Sequence, residues 1–313
     1  MNFSIVLTTY NGEKFIYDQL VSILEQTILP NEVLIFDDQS SDETCEIIQS
    51  FINNNHLDWH FQINQKNLGW KENFYQGIQK TKCDLVFLSD QDDLWKPDKC
   101  EVMIRVMEKI PNCNLLLTNY LPFSDDGSKL SSRKLYHQPN DKRVVKIAPN
   151  SRKFLNVLRP GCTYCFRKTF FNMINRFWVP GIAHDQFLYF WGLYSNSVYL
   201  LRYQSIRFRR HKDNNTPKNI RTVEHRIVEI EKDALLMRNL VEFTEFCDFT
   251  NQGLDIIFFE RIVRYFNDRL DFYKNPSIFR WIKLSLRQFK YYPSLKTLLG
   301  DFYICMIRHH YVK

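Results

Sequence analysis

Along the first 120 residues the apolar positions follow two alternating rhythms. Phe3 to Leu7 is a short run rich in β-formers. From Glu13 to Gln26, Ile16, Leu20, Ile23 and Leu24 recur at helical spacing. Glu32 to Phe36 predicts a second strand. Ser40-x-x-Glu43 reads as a capping box that opens a helix with Ile47, Ile48 and Phe51 on one face. Trp59 to Ile63 predicts a strand, Trp70 to Lys80 a helix and Asp84 to Leu88 another strand. Pro97 opens a helix to about Glu108, and Asn114 to Thr118 closes the series. This βαβα order implies an α/β fold, with a mostly parallel sheet covered by helices on both faces.

Residues 120–160 are looser, with turns at Pro122, Asp125-Asp126-Gly127 and Pro139. Strand signals return at Thr163–Phe166, Val198–Leu201 and Ser205–Arg209, with a short helix near Asp185–Leu193. After Asn214-Asn215-Thr216-Pro217 the pattern becomes almost wholly helical, broken near Gly253, Pro276 and Pro293. Two regions are therefore expected, 1–215 and 216–313.

Composition and charge narrow this picture. The 313 residues are 44% apolar, enough for a sizeable core, and 9 Gly with 11 Pro exclude collagen-like and low-complexity classes. Lys and Arg number 42 against 35 Asp and Glu, a net charge of +7. Residues 274–313 hold 8 of the basic groups and one acid, Asp301, so the first 273 residues carry 34 of each sign. The excess belongs to the tail. That argues against a nucleic-acid-binding body and for a local anionic partner of the tail. Asn2-Phe3-Ser4 lacks the basic start of a signal peptide, and no run reaches the roughly 18 apolar residues of a spanning helix. The chain is expected to stay in the cytoplasm with its 8 cysteines reduced. Cys162-x-x-Cys165 reads as a strand whose two thiols face opposite sides, hence as small buried hydrophobes rather than half a zinc site or a redox pair.

In open α/β sheets ligands bind beyond the carboxyl ends of the strands. Three polar loops follow such ends: Thr8-Thr9-Tyr10-Asn11-Gly12-Glu13, Asp37-Asp38-Gln39-Ser40-Ser41-Asp42 and Ser89-Asp90-Gln91-Asp92-Asp93. The first holds a single glycine, so the dinucleotide-binding fingerprint is absent, as is the Walker motif. Phosphate must be handled otherwise. Asp90-Gln91-Asp92 offers two carboxylates to a hard divalent cation, Mg²⁺ or Mn²⁺, that would share its oxygen ligands with a substrate diphosphate. An N-cap cluster for the Pro97 helix is the plainer account of these acids, but it leaves 90, 92 and 93 unexplained. Asp37-Asp38 suits either a turn and helix cap or acceptance of a pyrimidine N3–H.

Ile5-Val6-Leu7-Thr8-Thr9-Tyr10-Asn11-Gly12-Glu13, Leu24-Glu25-Gln26-Thr27, Asp37 to Thr44, Asn67-Leu68-Gly69 and Ser89 to Trp95 together resemble family 2 glycosyltransferases in order and spacing. The match spans about residues 3–215 and is most similar to rhamnosyltransferase-like enzymes of bacterial surface-polysaccharide assembly. The resemblance implies a GT-A fold, a Rossmann-like nucleotide half joined to an acceptor half, and an inverting mechanism. It implies that Thr8, Tyr10 and Glu13 line the base and ribose, that Asp38 meets the base with Asp37 beside it, and that Asn67 and Gly69 belong to the nucleotide site. Asp90 would face the ribose and Asp92 bind the metal. Pro160-Gly161-Cys162 would lead into the acceptor site. Asp185, beside His184, would be the general base. His211, in Arg210-His211-Lys212-Asp213-Asn214, is either a metal ligand or structural, and Arg207, Arg209 and Arg210 could equally hold phosphate. Gln186-Phe187-Leu188 departs from the family's usual bulky residues, and nothing past 215 matches a motif.

The chemistry agrees with these roles. A carboxylate opposite the leaving group takes the acceptor proton, the transition state is oxocarbenium-like, and a divalent ion stabilises the departing diphosphate. The base and the metal carboxylates should then be distant in sequence and opposed in space. The donor would be a dTDP- or UDP-sugar, dTDP-rhamnose among them, and the acceptor a hydroxyl of a lipid-linked surface glycan. A sugar-nucleotide synthase would need a Gly-rich basic loop after the first strand, which Gly12-Glu13-Lys14 is not. A non-catalytic nucleotide-sugar or membrane-surface binding protein is the alternative. In the tail, Asn275-Pro276 reads as a helix start, and Arg280, Lys283, Arg287 and Lys290 form a basic stripe beside Phe279, Trp281 and Leu286. That suits either an anionic membrane surface or a helix packed on the body with solvated charges.

Overall fold

The computed structural model describes residues 1–125, 138–148, 157–211, 222–246 and 256–307. Its strands are β1 Phe3–Thr9, β2 Glu32–Asp37, β3 His60–Ile63, β4 Leu85–Ser89, β5 Leu94–Trp95, β6 Leu115–Phe123, β7 Val144–Lys146, β8 Tyr164–Arg167 and β9 Val198–Arg209. They form a sheet in the order β3-β2-β1-β4-β8-β6-β9-β5, with β7 beside β9. The pairs β3–β2, β2–β1, β1–β4 and β6–β9 are parallel, while β8 runs antiparallel between β4 and β6.

The helices are α1 Ile16–Leu24, α2 Thr44–Asn54, α3 Trp70–Lys80, α4 Lys99–Lys109, α5 Lys168–Ile174, α6 His184–Tyr194, α7 Val223–Phe246, α8 Ile256–Lys274, α9 Ile278–Gln288 and α10 Leu295–Phe302. The two-residue period of β1 divides them. Phe3, Ile5 and Leu7 enter one core with Leu20 of α1, Ile48 of α2 and Met103 of α4. Val6 enters the other core with Phe74 of α3 and Leu188 of α6, and Ile230, Tyr265 and Leu284 of the C-terminal helices continue that same core. Among the described residues no helix is long and apolar enough to cross a membrane.

Several local expectations are corrected. Ser40 caps no helix: its hydroxyl donates to Asp37 Oδ2 at 2.5 Å, and Asp42 Oδ1 accepts the Thr44 N–H at 3.1 Å at the start of α2. α9 is capped by Ser277, whose Oγ accepts the Arg280 N–H at 3.2 Å, rather than by Asn275-Pro276. β9 is one 12-residue strand where Arg202 and Gln204 interrupt the apolar pattern and suggest two. Register shifts at Thr118/Asn119 and Asn119/Tyr120 let β6 run beside it to Phe123. Gly161–Thr163 is a 3₁₀ turn rather than strand, so Cys162 and Cys165 enter the same core instead of facing opposite sides. The break at Gly253 and the turn at 214–217 lie outside the described residues.

Candidate active site

Parallel pairing sets Thr9 beside Asp37 and Leu7 beside Ser89, so the loops after β1, β2 and β4 leave the sheet at one edge. Gln91, which the sequence reading passed over, ties two of them together. Its Oε1 accepts the Tyr10 N–H at 2.7 Å and its Nε2 donates to Tyr10 O at 3.1 Å. A Cβ at Gly12 would meet the Gln91 amide, so a larger residue there would push Gln91 off Tyr10. Thr8 is buried at the end of β1 and the Tyr10 ring is exposed above it. Glu13 Oε2 accepts the Glu43 N–H at 3.1 Å, which joins the first loop to the start of α2.

Asp37 and Asp38 are both buried and hydrogen-bonded within the protein. Asp37 accepts Thr9 Oγ1 at 2.8 Å, the Ser40 N–H at 2.8 Å and the Ser40 hydroxyl. Asp38 accepts the N–H groups of Leu68 and Gly69, each at 2.7 Å, and Asn64 Nδ2 at 2.9 Å. Asn67 Nδ2 donates to Asp38 O at 2.9 Å. Gly69 precedes α3 with φ 77° and ψ 148°, a conformation open in practice to glycine alone. Asp38, Asn67 and Gly69 thus meet as one loop junction, with the carboxylate holding the 67–69 turn. A carboxylate has about four acceptor positions, so three donors leave Asp38 room for one more.

The acidic loop divides into two groups. Asp92 Oδ2 lies 2.8 Å from His211 Nε2, and these side chains are 16% and 17% exposed. The two residues, distant in sequence, bring a carboxylate oxygen and an imidazole nitrogen together, one ligand atom each that a divalent cation could share. Beneath them, Asp90, Asp93 and Cys162 bring one ligand atom each within 4.8 Å of one another. Burial, with the Asp92 and Asp90 charges, pushes the Asp93 carboxyl well above its usual range. Burial also holds the Cys162 thiol protonated, so this lower group fits a hard cation poorly. Lys99 is fully buried under it and donates to Cys162 O at 2.8 Å; burial lowers its amine to about 8. Burial first, then the charges of Asp92 and Asp185, raise Asp90 to about 7.

Arg209 is engaged within the protein. Its guanidinium pairs with Asp125 and, at 3.2 Å, with Asp18, and its Nε donates to Asp92 O at 2.9 Å. Its N–H donates to Asp93 Oδ1 at 3.1 Å. Arg207 and Arg210 lie over the rings of Phe123 and Phe208.

Asp185 stands in the first turn of α6, where its Oδ1 accepts the Gln186 N–H at 2.7 Å. Burial raises its carboxyl to about 6, opposed by backbone N–H groups and by the Lys71 charge. His184 is a packing residue: its ring lies 4.0 Å from the Phe74 ring, burial lowers it to about 3, and neither ring nitrogen has a hydrogen-bond partner among the described residues. Gly161 makes room for it, since a Cβ there would strike His184 Nε2. The sequence reading also passed over Asp233 of α7, whose Oδ1 accepts Gln186 Nε2 at 2.7 Å. No local motif signals such a carboxylate, delivered from 47 positions further along the chain than Gln186.

The profile described as Glycosyl transferase family 2 matches residues 4–179. The dTDP-rhamnosyl transferase RfbG of Shigella flexneri is 30% identical over 233 residues, 68% of this chain and 74% of that protein. S. aureus TarS 1-349, solved in complex with UDP-GlcNAc, superposes with a TM-score of 0.66 at 17% identity, covering 99% of this chain and 92% of that one. The mannosyltransferase PcManGT of Pyrobaculum calidifontis, solved with GDP-Man and Mn²⁺, gives 0.53 at 13% identity, covering 100% and 88%. Both structures carry the same fold as this chain.

Proposed function

Because the chain belongs to glycosyl transferase family 2, we propose that it moves a sugar, with inversion, from a nucleoside-diphosphate donor to a hydroxyl of a lipid-linked bacterial surface glycan. The observation that carries this reading is the position of Asp90, whose carboxyl feels both Asp92 and Asp185. That shared influence on one carboxyl supports a single site for the candidate metal ligand and the candidate base.

In this reading Asp185 accepts the acceptor's hydroxyl proton. The hydroxyl oxygen forms its bond to the anomeric carbon as the bond from that carbon to the diphosphate oxygen breaks, and the electron pair leaves with the nucleotide. A carboxyl near 6 is ionised at neutral pH yet basic enough to take the proton. A divalent cation on Asp92 and His211 would supply charge neutralisation for the departing diphosphate. Tyr10 presents its ring at the nucleotide edge, and the Asp38–Asn67–Gly69 junction shapes the floor for the base. Likeness to RfbG favours a dTDP-sugar, dTDP-rhamnose first.

The test is a thermal-shift screen of dTDP- and UDP-sugars with and without Mn²⁺ or Mg²⁺, followed by product analysis. Metal-dependent stabilisation by a nucleoside diphosphate is expected. No stabilisation by any of them would overturn the donor assignment in favour of a protein that does not bind nucleotide sugars.

A further inference from the structure

The C-terminal helices turn an apolar face outward. α9 has three sectors, because successive residues rotate by about 100°. Leu284 and Gln288 face inward, with Gln288 Nε2 donating to Asp268 Oδ2 at 2.7 Å. Lys283 and Arg287 form a solvent-facing basic sector, continued by exposed Lys290 in the turn after α9. Phe279, Ile282 and Leu286 lie between the two and are exposed, Phe279 at 74% and Leu286 at 81%. α10 repeats the device, with Leu295 and Leu299 exposed one turn apart and Tyr303 following them. Trp281 joins the two helices, its ring 4.8 Å from that of Phe302.

Basic groups dominate the charge of this surface among the described residues. Asp301, the only acid after residue 273, is buried against Arg269 and the hydroxyls of Tyr273 and Tyr292. Arg280 is balanced by Asp271 at 2.9 Å, which leaves Lys283, Arg287, Lys290 and Lys296 to set the local field.

We propose that α9 and α10 dock the enzyme on an anionic lipid bilayer. Phe279, Ile282 and Leu286, with Leu295, Leu299 and Tyr303, would enter the headgroup boundary while the lysines and Arg287 meet lipid phosphate. An apolar face bordered by basic residues is the form that binds in the plane of a membrane interface. A second copy fits worse, because a symmetric contact through this face would bring like charges together. The inference refines the lipid-linked acceptor reading by placing the contact outside the nucleotide site, and its test reads no turnover.

Full-length protein is sedimented with vesicles of phosphatidylcholine alone and with added phosphatidylglycerol. Two variants accompany it, Phe279→Ser with Leu286→Ser, and Lys283→Gln with Arg287→Gln and Lys290→Gln. All changed residues are exposed, and thermal unfolding checks the fold. Binding is expected to need phosphatidylglycerol, to weaken with salt, and to fall by about tenfold or more in each variant. Wild-type protein that fails to sediment, or variants that bind as well as wild type, overturns the proposal. A dimer that the serine changes dissociate, without vesicle binding, overturns it in favour of self-association. dTDP and UDP binding, measured in parallel, stays unchanged in both variants, so loss of docking is separable from failure of the donor site.

Discussion

Gln186 Nε2 donates to Asp233 Oδ1 at 2.7 Å, which ties the residue after Asp185 to a helix more than forty positions away. This bond makes α7 part of the floor beneath the candidate base. Asp233→Ala removes the acceptor and frees Gln186, so the acceptor KM should rise and kcat fall. Asp233→Asn keeps an oxygen for Gln186 and should restore most of both. Burial raises Asp233 from 3.8 to about 6. Its protonated form is therefore the one the fold favours. Stability of the parent relative to the Asn variant should decline as pH rises from about 4 to about 6. Denaturant midpoints across that window, beside steady-state kinetics, measure both effects. An Asn variant as impaired as Ala would remove the positioning role.

Asp185 sets a separate limb. Its carboxyl, raised to about 6 by burial, must be ionised to accept a proton. kcat/KM should therefore fall about tenfold per pH unit below about 6 and level above it. Asp185→Asn should lower turnover by about 10²–10⁴-fold while donor binding persists. The Asp233→Asn variant should keep this limb, which separates the two carboxyls. Product formation by Asp185→Asn at the wild-type rate would exclude it as the base.

Asp92 and His211 predict a metal phenotype. Asp92→Asn should lose metal-dependent nucleotide binding. His211→Ala should need about tenfold or more metal for half-maximal activity, on the scale by which such partners alter metal affinity. Titration calorimetry of Mn²⁺ in the presence of nucleoside diphosphate reads both. An unchanged metal titration in His211→Ala would return this residue to a purely structural role against Phe15, whose ring centroid lies 4.4 Å away.

The parts read in advance share a physical basis. Short apolar runs between helically spaced segments placed β1, β2 and β4 to within a residue or two, because strands buried on both faces read as continuous apolar runs. The three acidic and polar loops followed from the strand ends. What escaped was non-local. Gln91 is an ordinary polar residue until Tyr10 lies above it. Arg209 is one of three neighbouring arginines in the sequence, and only the fold brings Asp18 and Asp125 to it. Ser40 carries a capping signature, yet Asp37 accepts its hydroxyl and lies closer to hand. In the tail, spacing revealed the basic stripe, but only packing showed which apolar residues face inward.

Gly161 gives a test of close packing at the base. A Cβ at this position would strike His184 Nε2 and lie 3.3 Å from Asp185 Cβ. Gly161→Ala should therefore shift the start of α6 and cost about 1–3 kcal/mol as overpacking. His184→Ala in the same chain should relieve part of that cost. A double-mutant cycle by denaturation measures the coupling, and additive effects would exclude the contact.

Asp301 shows how the tail is fixed. Arg269 donates to it through Nε at 2.6 Å and Nη2 at 2.8 Å, and Tyr273 and Tyr292 add hydroxyl donors at 2.7 and 2.9 Å. All three partner residues are buried. Asp301→Ala would strand the guanidinium without its counter-charge, a loss of about 3–5 kcal/mol. The exposed Arg280–Asp271 pair at 2.9 Å is the control, and Arg280→Ala should cost only about 0–1 kcal/mol. The difference in magnitude, not the presence of two ion pairs, identifies which one fixes the C-terminal helices to α8. Urea unfolding of both variants decides it. Equal midpoints would show that the C-terminal helices are held by their apolar contacts alone, through residues such as Leu298 and Ile304.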